Sequence, residues 1–209
     1  MRKYLVEFIG TFFLATTVAT AAVLGTAGDF APIAIGVVLM VMVYAGGHVS
    51  GGHFNPSVTL GVLLRGRCEK RDLLPFIIAQ LTGAFVGGVA AQLMVPAATV
   101  TAAELPNTLP VLLAEFLFTF ALVYVVLNSA TAKGTSGNSF YGAAIGLTVM
   151  VGAFTVGPIS LGGFNPAVSL MLVTVGKLRG ADVWMHLLPQ ILAAGAAAFS
   201  FRAILPDDK

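Results

Sequence analysis

Apolar runs long enough to cross a bilayer alternate along the chain with short polar breaks. The windows bounded by charge, Gly or Pro fall at 4–24, 31–49, 72–94, 109–129, 140–157 and 181–205. Each predicts one spanning helix, because about 20 apolar residues at ~1.5 Å rise cover a ~30 Å hydrocarbon core. Two shorter runs, 55–64 and 165–175, each follow an Asn-Pro pair. Such a run reaches only ~15 Å and cannot cross alone. The opening "MRKYLVEFIGTFFLA" has the basic-then-apolar order of a secretory leader. Against that reading, Glu7 interrupts the run, and the same pattern returns around Glu115.

The return belongs to a repeat of the whole chain. "GGHFNPSVTL" at 51–60 reappears as "LGGFNPAVSL" at 161–170, and "IAIGVVLMVM" at 33–42 as "AAIGLTVMVG" at 143–152, both at an offset of 110. Gln80 and Gln190 share that offset, whereas Glu7 and Glu115 are 108 apart. The chain therefore reads as a single domain, 1–209, made of repeats at 1–100 and 105–209. Each repeat holds three full spans, an odd number, so the second must enter the membrane inverted relative to the first.

Composition agrees with the medium: hydrophobic residues make up 57% and charged residues 10% of the chain, against about 25% charge in soluble domains. A net charge of +2, with its basic residues spread over loops, argues against nucleic acid as a partner. With the N-terminus cytoplasmic, Arg2, Lys3, Arg65, Arg67, Lys70, Arg71, Lys133, Arg202 and Lys209 lie inside, and only Lys177 and Arg179 outside. That imbalance puts both termini in the cytoplasm. A lone Cys68 excludes an intrachain disulfide and lacks partners for a metal site. No nucleophile–base set, phosphate loop or metal-ligand cluster is visible, so no catalytic residue, cofactor or metal is expected, and the chain is not read as an enzyme.

Non-helical backbone survives at membrane depth only against protein or a water-filled path. The Gly-rich approaches to Asn55 and Asn165 therefore predict a lined cavity. Two half-helices entering from opposite faces would direct their positive N-terminal ends inward, with Asn55 and Asn165 as N-caps and Pro56 and Pro166 at the first helical position. Gly51, Gly52, His53 and Phe54, like Leu161, Gly162, Gly163 and Phe164, are expected to be extended and to turn carbonyls toward the path. Asp72 and Asp182 read as N-caps of the third and sixth spans. Gly83 and Gly87 read as close helix packing, matched by Ala193 and Ala197.

These paired motifs, their spacing and the repeat resemble the aquaporin family of major intrinsic proteins over essentially the full chain. The resemblance implies an all-α membrane protein, a right-handed bundle of six transmembrane helices plus two re-entrant half-helices. It also implies one pore per subunit, usually in a homotetramer within the lipid bilayer, passing water and small neutral solutes. Asn55 and Asn165 would donate to the permeating molecule at the pore centre, framed by Pro56, Ser57, Pro166 and Ala167. Ser57 stands where Ala is usual. The filter positions correspond to Ile35, Ala153, Gly162 and Val168. At the last of these most members carry Arg, and in water-selective members an aromatic and a His are usual at the first two, so a wider, less polar constriction than that of a strict water channel is implied.

Glu7 and Glu115 are read as loop supports that accept backbone N–H groups, with proton carriage as the alternative. His48 and His53, at positions often His in the family, are read as pore-lining or loop-bracing, with a pH-sensitive gate as the alternative. His186 is either interfacial or functional. The reading is a passive channel; the alternatives are a secondary transporter with inverted repeats, a strictly water-selective channel, and a membrane junction or scaffold. Short loops and no organelle address suggest a bacterial-type inner membrane.

Overall fold

A computed structural model describes residues 1–105 and 107–208; Lys209, counted above among the basic residues, lies outside the described residues. Among those residues the regular structure is entirely helical. Six helices are long and apolar enough to cross a membrane, and two are not. The order is α1 (Arg2–Thr17), α2 (Ala31–Ser50), α3 (Pro56–Arg65), α4 (Leu73–Met94), α5 (Thr108–Val126), α6 (Tyr141–Ser160), α7 (Pro166–Thr174) and α8 (Trp184–Ile204). α1 and α5 run on through wider π-helical turns at Val18–Val23 and Leu127–Thr131.

Close helix contact here depends on the absence of side chains. A Cβ on Gly83 would lie 2.5 Å from the Phe8 carbonyl oxygen, and one on Gly87 2.6 Å from that of Phe12, so α4 rests on the backbone of α1. On the other side, Ala193 and Ala197 of α8 are fully buried, and α8 packs on α5. Gly36 and Gly146 join α2 to α6 reciprocally: a Cβ on either would meet the other's carbonyl oxygen, at 2.8 and 2.4 Å. Small residues let backbones approach where dispersion, not water, must drive association. The outward faces carry exposed Leu74, Leu93 and Phe199, which suit hydrocarbon.

Each short helix leans on the last span of the other half, α3 on α8 and α7 on α4. Gly61 lets α3 also lie close to α5, since a Cβ there would sit 2.4 Å from Val123, while the Ala194 oxygen of α8 stays at an ordinary 3.7 Å. At its C-terminal end α3 is held by Arg65, which is buried, stacks 4.4 Å over the Phe201 ring and pairs with Asp208 at 2.6 Å. A cation there complements the helix dipole.

Two expectations about helix ends are corrected. α6 continues through Pro158 to Ser160 rather than stopping at 157; apolar packed helices tolerate Pro where neighbours re-satisfy the backbone. Asp72 and Asp182 make no cap bonds. Charge partners outcompete the backbone: Asp72 accepts from Lys3 and, at 2.8 Å, from the Tyr4 hydroxyl, while Asp182 takes Arg179 Nε at 2.6 Å.

Candidate functional site

The two short helices meet N-terminus to N-terminus. Asn55 has extended backbone and its Oδ1 accepts the N–H of Ser57 at 2.8 Å; Asn165 does the same for Ala167 at 2.9 Å. This is N-capping with Pro at the first helical position, where its missing donor costs nothing. With Oδ1 used locally, each amide nitrogen reaches across. Asn55 Nδ2 donates to the Phe164 oxygen and Asn165 Nδ2 to the Phe54 oxygen, both at 2.8 Å. An NH2 group has two hydrogens, so one donor on each Asn is left for whatever occupies the space beside it.

The approaches to those caps are not extended. Gly51, Gly52 and Phe54 have φ of 96°, 64° and 49°, and their counterparts Leu161, Gly162 and Phe164 have 71°, 62° and 45°. Left-handed backbone at Phe and Leu costs of order 1–3 kcal/mol each; Leu161 adopts it as the C-cap of α6, its N–H donating to the Gly157 oxygen at 2.8 Å, and at Phe54 and Phe164 buried carboxylates collect the N–H groups that it presents. Glu7 accepts from His53 N (3.0 Å), Phe54 N (2.7 Å), Ser50 Oγ (2.6 Å) and Gln80 Nε2 (2.8 Å). Glu115 accepts from Gly163 N (2.9 Å), Phe164 N (2.8 Å), Ser160 Oγ (2.7 Å) and Gln190 Nε2 (2.7 Å). Both carboxylates are fully buried.

The histidines break the repeat in a complementary way. His53 lies on the first loop, its Nδ1 3.1 Å from Thr59 Oγ1 and its ring 5.2 Å from that of Phe76. At the offset of 110, His53 corresponds to Gly163 and Phe76 to His186. Gly163 leaves the room: a Cβ there would lie 2.8 Å from His186 Nδ1. His186 Nδ1 in turn sits 3.0 Å from Ser169 Oγ, the counterpart of Thr59. Each half therefore places one imidazole against the equivalent hydroxyl, Thr59 from the loop and Ser169 from the long helix. His186 is fully buried within the bundle and does not face the lipid. His48 is exposed.

Beside the caps runs a cavity of about 280 Å³, many times the ~10–15 Å³ that one water needs. Its wall includes Asn55, Asn165, His53, Phe54, Leu161, Gly163, Phe164, Ile35, Ala153, Gly162 and Val168. It ends near Ala22, Ala31, Pro158 and Lys177, at the end of the bundle away from the termini. A second space of about 890 Å³ opens at the terminal end among His48, Gly51, Cys68 and Lys133, and shares His53 and Val126 with the first. Gly52, Pro56, Ser57, Pro166 and Ala167 line neither space and pack behind the caps, and Glu7 and Glu115 likewise stand outside both walls. Sequence reasoning missed the apolar remainder of the first wall, including Leu39, Val58, Ile145, Val149 and Leu172. It also missed Ser50 and Ser160, which the offset of 110 would have paired.

Comparison with known proteins places this architecture. A family model described as Major intrinsic protein matches residues 1–201. The chain is 35% identical to the Glycerol uptake facilitator protein-like 6 of Lactiplantibacillus plantarum, with all of both chains covered. It is also 35% identical to Aquaporin NIP1-4 of Oryza sativa subsp. japonica, over 98% of this chain and 77% of that one. The X-ray structure of the aquaglyceroporin from Plasmodium falciparum shares the fold, with a TM-score of 0.82 at 20% identity over 98% of this chain and 97% of that one.

Proposed function

The chain belongs to the major intrinsic protein family, whose members are membrane channels and not enzymes, and from that premise we propose that it passes water and small uncharged solutes through its own cavity. One observation carries the reading: Asn55 and Asn165, locked across the junction of two opposed half-helices, each keep one amide donor at the wall of a cavity that also holds Ile35, Ala153, Gly162 and Val168. The two donors replace part of a solute's hydration, and the two positive helix ends disfavour cations. The four filter residues offer no fixed charge and little bulk. A broad range of neutral molecules, including polyols of the kind named in the glycerol-facilitator relative, follows from that composition.

The chain is an integral membrane protein. Both termini face the cytoplasm on this reading, which follows the excess of Lys and Arg in the loops on that side. Residues 1–100 and 105–209 then insert as inverted repeats, and four copies assemble in a bacterial inner membrane, each with its own path. The bonding of Glu7 and Glu115 favours a channel over an ion-coupled carrier. Both carboxylates stand outside the cavity wall and are engaged by four donors each, so neither is available to a coupling ion.

Substituting Val168→Arg tests the filter. A guanidinium brings five donors and a permanent charge into the wall at the proposed filter. Glycerol and urea flux into proteoliposomes should fall more than water flux at matched incorporation. Equal losses for water and the larger solutes, or no change in either, would put the constriction elsewhere.

A further inference from the structure

Among the described residues lining the cavity beside the caps, Lys177 alone is formally charged. It follows α7, the same short helix that carries Val168 near its start. Its backbone is tied down on both sides: its N–H donates to the Leu172 oxygen and its carbonyl accepts from Ala103 N–H, each at 2.9 Å. The ammonium is tied much less. It reaches the Thr101 oxygen at 3.5 Å, the outer limit of a hydrogen bond, so the side chain, half-buried in the cavity wall, is held by one weak bond for its three donors. The carbonyl end of α7 nearby favours a cation at that position.

We infer that Lys177 is the charge-selecting residue of this path, a mobile cation at the mouth that replaces the fixed cation lacking at Val168. The inference rests on the channel reading above. A positive charge beside a narrow, low-dielectric opening repels other cations before they reach the apolar stretch, and leaves neutral solutes unaffected. Because the loop is held through backbone bonds, changing the side chain removes the charge without releasing the segment.

Native protein, Lys177→Gln and Lys177→Arg are reconstituted at matched incorporation, and sodium leak and glycerol flux are measured on each preparation. The ratio of sodium leak to glycerol flux should rise about fivefold in Lys177→Gln, the size expected of a unit charge acting across ~8 Å of a half-hydrated mouth. The rise should be greater at low ionic strength, and Lys177→Arg should keep the native ratio. As a check independent of how well Lys177→Gln folds, Lys177→Cys in a Cys68→Ser background should regain the native ratio once an aminoethyl thiosulfonate restores a positive charge. An unchanged ratio in Lys177→Gln, or the same rise in Lys177→Arg, overturns the inference and leaves the channel reading standing. Native flux no greater than that of bare lipid overturns both.

Discussion

Replacing Glu115 by Gln exchanges one carboxylate oxygen for an amide nitrogen at the point where four donors converge. Two of those donors can adapt: the Ser160 hydroxyl can turn to accept, and Gln190 can flip its own amide. The Gly163 and Phe164 N–H groups cannot, and they address different oxygens, at 2.9 and 2.8 Å. Whichever way the introduced amide is oriented, its NH2 therefore faces one fixed backbone N–H. Stranding that donor costs ~1–3 kcal/mol, and losing charge assistance on the remaining bonds adds roughly 1 kcal/mol for each of two. The total is about 3–5 kcal/mol, which for a chain of this size lowers Tm by about 6–20 °C. Thermal unfolding of the purified protein, folded yield and solute flux should fall together, with no new dependence of flux on pH. A Tm within about 2 °C of native would refute the bracing role. So would flux lost at full folded yield together with an ion coupling, which would make Glu115 a transport residue.

Gly83→Ala should cost ~1–3 kcal/mol, because its new methyl would stand 2.5 Å from the Phe8 carbonyl; Gly195→Ala, with nothing within 4 Å of the added carbon, should leave thermal stability unchanged or raised. Asp208 tethers the C-terminal segment by accepting the Lys133 N–H at 2.7 Å and by pairing with Arg65, and these, the backbone bond first, hold its carboxyl below the usual range. A depressed folded value means the tether is present above the ordinary Asp value and is lost as pH falls through the folded one. Hydrogen exchange near residues 203–208 should therefore speed up on acidification, and Asp208→Asn should abolish that step; a step that persists would assign it to another group.

Much of the fold can be read from the chain because hydrocarbon allows so few solutions. Apolar length located all six spans, and the Asn-Pro pairs located α3 and α7 almost to the residue, since a short run after a breaker cannot cross. What escaped depends on tertiary partners. The left-handed backbone at Phe54 and Phe164 violates local preference and is held by Glu7 and Glu115, distant in sequence, which accept the N–H groups there. Asp72 looked like a cap until Lys3 and Tyr4, from the far end of the first half, claimed its carboxylate. His186 gave no local sign of its partner, although the offset that pairs Thr59 with Ser169 could have exposed the exchange of His53 and Phe76 for Gly163 and His186. The π-helical turns ending α1 and α5 leave no mark in composition at all.

Stopped-flow swelling of proteoliposomes containing the native protein, challenged in turn with water, glycerol and urea over a range of temperatures and concentrations, tests the central claim most directly. A passive path lined as described predicts flux well above bare lipid, with a low activation energy, no saturation and no response to an imposed proton or sodium gradient. Flux that saturates and follows such a gradient, or that does not exceed bare lipid, would contradict it.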